Sequence, residues 1–294
     1  MGKLRISYAN NREKIFEYIF LGIACVSIIS VVLICAFLLK EGLPAIFEIG
    51  MKDFLFNGSW KPQDEPASYG ILSMILGSIY VTVGALIFGV PIGILSAIYL
   101  SRFCPKKIKS PLRNFISILA GVPSVVYGFF GMVVLVPFVR NYFGGNGNSI
   151  LTASILLGIM ILPTIIELST SALDSVPQSY YEGALSLGAT HEVATFGVVL
   201  RGASSGVIAS VVLGLGRAIG ETMAVVMVVG NQAVLRTPFE VLKGVKTLTT
   251  NIITEMGYAT GLHRQALIST GLVLFIFILI INLSFNMLKR RFDS

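Results

Sequence analysis

The chain has 294 residues, of which 54% are hydrophobic and only 13% charged, with a mean hydropathy of +0.83. That composition excludes an ordinary soluble domain and defines a polytopic α-helical membrane protein. The net charge of +7 arises from basic residues that flank apolar runs, so it reports topology rather than a nucleic-acid partner.

Residues 1–17 carry Lys3, Arg5, Arg12 and Lys14 and read as a cytoplasmic N-terminus. Residues 18–39 contain no charge and are long enough to span a bilayer. They are too long for a signal-peptide core and no small-residue cleavage site follows, so an uncleaved first helix is expected. Residues 40–66 are a polar extracytoplasmic loop containing Trp60-Lys-Pro-Gln-Asp-Glu-Pro66. The rest, 67–288, reads as a five-helix core. Residues 67–101 are uncharged throughout, with Pro91 and several glycines inside, which leaves one tilted helix or two open. A basic loop (Arg102, Lys106, Lys107, Lys109, Arg113) precedes a third span at 114–139, in which Pro123 is expected to break or bend the helix. The fourth span is 149–168, the fifth about 206–229 and the sixth 266–288, followed by a tail at 289–294 with Lys289, Arg290 and Arg291.

Six spans place both termini on one side. Thirteen Lys and Arg fall on that side and eight on the other; the bias sits in short flanking segments, so the termini are cytoplasmic. Cys25, Cys35 and Cys104 show no metal-ligand spacing, and neither a disulfide framework nor a bound metal is expected. No G-x-x-x-x-G-K-[ST] loop occurs, so the chain is expected to have no ATPase site and not to be an enzyme. His191 and His263 lie in polar segments without an i+4 metal partner and read as solvated loop histidines.

Arg217 and Glu221 stand inside the fifth span. A charge at the centre of a membrane helix costs about 2.5–3.5 kcal/mol on insertion scales and points to a substrate or ion pathway. The i, i+4 spacing puts the two on one helical face, where they can pair. A purely structural pair pinning the helix to its neighbours is the other reading. Gly216 and Gly220 form a small-xxx-small pair beside that face, suited to close approach of another helix. Thr222 and Ser124 offer hydroxyls near the path, although such groups often serve backbone carbonyls. Glu167, near the cytoplasmic end of the fourth span, reads as structural or coupling-related rather than as a substrate ligand.

Residues 174–201 separate spans four and five. Val176-Pro177 suits a helix entry, Gly188 suits a C-terminal stop, and a second short helix can start near Thr190. Two short helices around a glycine elbow make a knob on the cytoplasmic face. Glu182-Gly183-Ala184-x-x-x-Gly188, followed by nine residues and Val198-x-Leu200, resembles the EAA motif of type I ABC importer permeases. Gly183 stands where alanine is usual, and Arg201 where proline often ends the motif. Leu119-Ala-Gly-Val-Pro-Ser-Val-Val-Tyr-Gly-Phe-Phe-Gly131 and Leu213-Gly-Leu-Gly-Arg-Ala-Ile-Gly-Glu-Thr-Met-Ala-Val225 look like signature stretches of the phosphate-importing permeases within that family. The loop with Asn57-Gly-Ser-Trp60 and the tail with Gly261-Leu-His263 are similar too.

The resemblance implies an all-α, six-helix MetI-like fold in a prokaryotic cell membrane, N-in and C-in. It implies that Glu182, Gly183, Ala184 and Gly188 couple to an ATPase, and that inorganic phosphate crosses by alternating access. The implied partners are a second permease subunit (PstA-like), an ATPase dimer (PstB-like) that holds ATP and Mg, and an extracytoplasmic phosphate-binding protein (PstS-like). In that reading Arg217 offers the anion planar donors, and Glu221 neutralises it between cycles. Two alternatives stay open: import of molybdate, sulfate or phosphonate, and an ATP-independent, ion-coupled anion carrier.

Overall fold

The computed structural model describes residues 2–292, with side chains for 13–284 and Met287. The side chains of Lys3, Arg5, Arg12, Lys289, Arg290 and Arg291 lie outside the described set. The first helix, α1 (Gly2–Ile49), runs beyond the expected 18–39 and carries Pro44 inside it. Its apolar middle is unburied within this chain, as expected of a helix facing lipid. It joins the core only near its end, where the Ser269 hydroxyl donates to the Gly42 carbonyl at 2.7 Å. The expected loop at 40–66 is therefore largely structured: after α1 come α2 (Met51–Phe56) and the two-residue strands β1 (Trp60–Lys61) and β2 (Ser68–Tyr69), paired antiparallel.

The second span is one helix, α3 (Leu72–Ile98), continued by a π-turn to Phe103. The third differs from the expected 114–139. The basic segment is itself helical, α4 (Lys106–Ala120). A break at Gly121–Pro123 separates it from α5 (Ser124–Phe130) and α6 (Val136–Phe143), which a π-turn joins into a single rod. Proline at 123 has no N–H to donate and starts the new helix. The fourth span is α7 (Ile150–Asp174), begun by the Ser149 hydroxyl accepting from the Thr152 amide. The cytoplasmic knob comprises α8 (Gln178–Ser186) and a helical run from α9 (His191–Val193) through a π-turn to α10 (Leu200–Gly202). After a 70° bend comes α11 (Ser204–Gly220).

The fifth span is not the continuous helix expected over 206–229. It stops at Glu221, whose backbone is extended (φ −70°, ψ 124°), and resumes as α12 (Met223–Val228). The polar loop expected beyond it folds back into the core and contains α13 (Leu248–Glu255). The last span, α14, covers Gly261–Phe292. Among the described residues, five helices are long and apolar enough to cross a membrane, or six when the bent pair ending in α11 is taken as one span.

The centre of the core is α3 against α7. Gly84 and Gly93 of α3 face this contact: a Cβ at Gly84 would lie 2.2 Å from the Ser154 Oγ, and one at Gly93 2.7 Å from Ile165. Glycine there lets two helix backbones approach, the usual device where lipid removes the hydrophobic drive for association. Leu156, Leu157, Met160, Ile161 and Ile165 fill the interior of α7's packing face.

Candidate translocation pathway and coupling surface

Arg217 lies in the last turn of α11. Its Nη1 donates to the Thr164 hydroxyl of α7 at 3.2 Å. Glu221 does not pair with it: an i, i+4 pair needs an unbroken helix between the partners, and this helix ends at Glu221. Glu221 instead turns its Oε1 to the Ala224 amide at 3.3 Å, capping the start of α12. Among the described residues, no carboxylate comes within salt-bridge distance of Arg217. Thr222 spends its hydroxyl on the Gly220 carbonyl at 3.2 Å. Ser124 opens α5 beside the break, near Tyr127, whose hydroxyl donates to the Leu119 carbonyl across it at 2.9 Å. Gly216 and Gly220 meet nothing: a Cβ at either would find no atom within 4 Å. The glycines of α11 that pack inside the chain are Gly206, against Ala172, and Gly214, against Ile165.

The returning loop shapes the other side of the break. Val245 bonds to the Val229 carbonyl at 3.0 Å, Leu151 to the Val241 carbonyl at 2.8 Å, and the Leu248 amide to Ser78 of α3 at 3.0 Å. Thr247 and Thr250 then cap α13 reciprocally. Thr247 and Thr249 join Ser78, Thr82 and Glu221 around a narrow polar seam between α3, α11 and α12. Asn251 is fully buried, and neither atom of its amide has a partner. The sequence reading missed these residues; the run Thr247-Leu-Thr-Thr-Asn251 inside a supposed loop was the available signal.

Outside this seam, Glu255 of α13 holds the extracytoplasmic segments together. It forms an ion pair with Lys246 and accepts from the Trp60 indole and His263 imidazole, both at 2.9 Å. Burial pushes its carboxyl pKa upward, but the bonds from Lys246, Trp60 and His263 and the Lys246 charge outweigh that and hold it below the ordinary value. His263 is thus no solvated loop residue; its ring also lies edge-on to Trp60 and Tyr258.

On the cytoplasmic face, α8 ends as the sequence predicts. Gly188 adopts φ +86°, the Gly188 amide bonds to the Leu185 carbonyl at 2.9 Å and the Ala189 amide to the Ala184 carbonyl at 3.1 Å, a Schellman closure. Thr190 caps the next helix. Glu182 and Gly183 are exposed, Ala184 partly so, and Leu187 at the elbow is 91% exposed. Tyr180 and Leu185 of α8 are exposed too, and bulky apolar side chains displayed together suit a protein contact. The knob is anchored from behind. Arg102 donates to the Leu173 carbonyl at 2.8 Å and Gln178 at 3.2 Å and lies over the Tyr181 ring. His191 shares a 2.6 Å hydrogen bond with the Tyr181 hydroxyl and packs on Phe103, so it too is a structural group rather than a solvated one.

These features define a multi-pass α-helical membrane protein. Residues 89–294 match the family described as binding-protein-dependent transport system inner membrane component, and the chain belongs to it. It is an ABC importer permease of the type I class. The chain is 40% identical over 268 residues to the Bacillus subtilis protein "Probable ABC transporter permease protein YqgH", covering 88% of this chain and 86% of the relative. It is 34% identical to "Phosphate transport system permease protein PstC" of Mesorhizobium japonicum, over 82% and 79% of the two, and 34% identical to the probable PstC of Methanocaldococcus jannaschii, over 91% and 90%. Among solved structures, an inward-facing methionine transporter MetNI matches with TM-score 0.56 at 19% identity, covering 76% of this chain and 94% of that one. A bacterial importer of alginate matches with TM-score 0.56 at 16% identity, covering 76% and 80%. Both likenesses bear on the fold alone.

Proposed function

We propose that the chain is the phosphate-translocating permease subunit of its importer. The observation that carries this is Arg217: an intramembrane guanidinium held by a threonine hydroxyl, with no carboxylate pairing it among the described residues. A half-buried cation so poorly neutralised is costly at rest and gains most when an anion arrives. The guanidinium fork matches a tetrahedral oxyanion. Residue chemistry does not choose among such anions; the PstC relatives favour phosphate. Glu221, set at the helix break rather than on Arg217, serves in this reading to hold the break that brings α12 and the returning loop to the path.

The surface around Glu182, Leu187 and Gly188 docks into an ATPase dimer (PstB-like), which binds ATP and Mg and drives alternating access. The open face at Gly216 and Gly220 receives a helix of the second permease (PstA-like). A PstS-like binding protein delivers phosphate from outside. The test is uptake of labelled phosphate by the assembled complex in proteoliposomes. Arg217→Gln should lower uptake by about a hundredfold, the scale of a lost charge-assisted contact, without loss of assembly. Wild-type uptake in a normally assembled Arg217→Gln complex would sink the reading, as would a native complex that moves another oxyanion in place of phosphate.

A further inference from the structure

Below Arg217, the same face of α7 carries a descending series of polar groups. Thr164 bonds to Arg217. Glu167, one turn on, accepts from Ser117 of α4 at 2.8 Å. Asp174, at the end of α7, takes Ser101 on one oxygen at 2.6 Å and both Arg113 at 2.9 Å and Lys109 at 3.8 Å on the other. Residues three and four apart on a helix share a face, so these groups form one line from the half-buried Arg217 to the cytoplasmic boundary.

Between α4, α7 and the end of α3, this line borders a cavity of about 250 Å³, walled by Leu100, Arg113, Ile116, Ser117, Glu167 and Thr170, with Ile166 beside them. Two observations make it a built site. Thr170 is only 2% exposed, yet its hydroxyl has no hydrogen-bond partner, and buried hydroxyls are nearly always satisfied. Arg113 reaches Asp174 through one guanidinium nitrogen at 2.9 Å, on an oxygen it shares with Lys109, so its remaining N–H groups are available at the wall. A hydroxyl without a partner and a guanidinium with donors to spare both suit an oxyanion.

Glu167 limits which anion fits. A carboxylate is an acceptor only: it repels an oxyanion whose oxygens are all bare, but takes a charge-assisted hydrogen bond from one that still carries a hydroxyl. Near neutral pH inorganic phosphate carries such a proton, whereas sulfate and molybdate do not. We propose that this cavity is a cytoplasm-facing exit site for a protonated oxyanion, with Arg113 supplying charge and donors, Thr170 supplying a hydroxyl donor, and Glu167, held by Ser117 on one oxygen, accepting the anion's own hydroxyl on the other. This deepens the phosphate reading and rests on it.

The test uses the complete importer complex in nanodiscs, with Cys25, Cys35 and Cys104 replaced by alanine and a reporter thiol in the wall (Ile116→Cys). Its labelling by a membrane-impermeant maleimide is timed with inorganic phosphate, with sulfate and with neither. Phosphate should slow labelling several-fold at concentrations where sulfate has no effect. Glu167→Gln should erase that difference, and Thr170→Val should raise the phosphate concentration needed by about three- to tenfold, the scale of one neutral hydrogen bond. Co-purification with the ATPase shows that each variant is folded. Absence of protection by phosphate, equal protection by both anions, or discrimination that survives Glu167→Gln overturns the proposal. Phosphate uptake by the unsubstituted complex is followed in parallel: no uptake sinks the phosphate reading, whereas uptake without protection sinks the cavity alone.

Discussion

The Glu255 cluster and the Arg217 region both place charge away from water, and they treat it in opposite ways. Glu255 is saturated: Lys246, Trp60 and His263 all bond to it, and these three partners come from three separate stretches of chain. Arg217 is left nearly bare, with Thr164 as its one side-chain hydrogen bond among the described residues. A satisfied buried network fixes one geometry. A poorly satisfied one has reason to exchange partners. The outer loops are therefore built to hold still while the interior face of α11 is built to respond.

The sharpest way to break that comparison is Glu255→Ala. It strands Lys246, which is only 8% exposed, as an unpaired buried cation, at a cost of about 3–5 kcal/mol. The expected result is a large fall in the thermal stability of the purified complex, with proteolysis opening between residues 56 and 71. Unchanged stability would mean the cluster clamps nothing. Protonation attacks the same point. The folded pKa of Glu255 lies below its ordinary value, so its contribution is complete above about pH 4.3 and drains away only as pH falls through the lowered folded pKa. Loop protection measured by hydrogen exchange should persist through mild acid and then fail, and Glu255→Gln should remove that acid step.

A smaller effect is expected from Gly84→Ala. The new Cβ would meet Ser154 at 2.2 Å, so α3 and α7 must separate or Ser154 must turn, costing about 1–3 kcal/mol. This contact supports both regions equally, so stability and transport should decline together. A variant that lost transport with full stability would show that α3 and α7 slide during the cycle. Next comes Gly188→Ala, which forces an L side chain into φ +86° at about 1–2 kcal/mol. The strain is local to the elbow, so ATPase activity of the complex should uncouple from uptake while the outer cluster keeps its protection.

Much of this was legible in the sequence for a physical reason: bilayer spans and short capped helices are written in local runs. The charge-free stretches locate α1, α3, α7 and α14, and Pro177 and Gly188 locate the knob. The broken fifth span was harder, because apolar residues continue on both sides of the short interruption Gly220-Glu221-Thr222. An i, i+4 argument for Arg217 and Glu221 assumes the helix it needs. The Glu255 cluster was invisible because Trp60 and Glu255 stand 195 positions apart, and no local pattern encodes such a meeting. His263 and His191 were misread for the same cause: their partners are brought by the fold.

The smallest expected effect is also the one that separates the chain from its assembly. Gly216→Ala adds a methyl group that meets no atom within 4 Å, and in a helix alanine is favoured over glycine by about 1 kcal/mol. For this chain alone the change should be neutral or slightly stabilising. In the assembled importer the outcome depends on what lies against that face. If a helix of a second permease packs there through backbone approach, the added methyl should weaken co-purification of the two subunits while the isolated chain melts no earlier. Intact co-purification would place the subunit contact elsewhere and leave the small residues of α11 to the open side of the path. Gly214→Ala is the matched control: its Cβ would lie 3.1 Å from Ile165, so it should disturb the chain itself whether or not a partner is present.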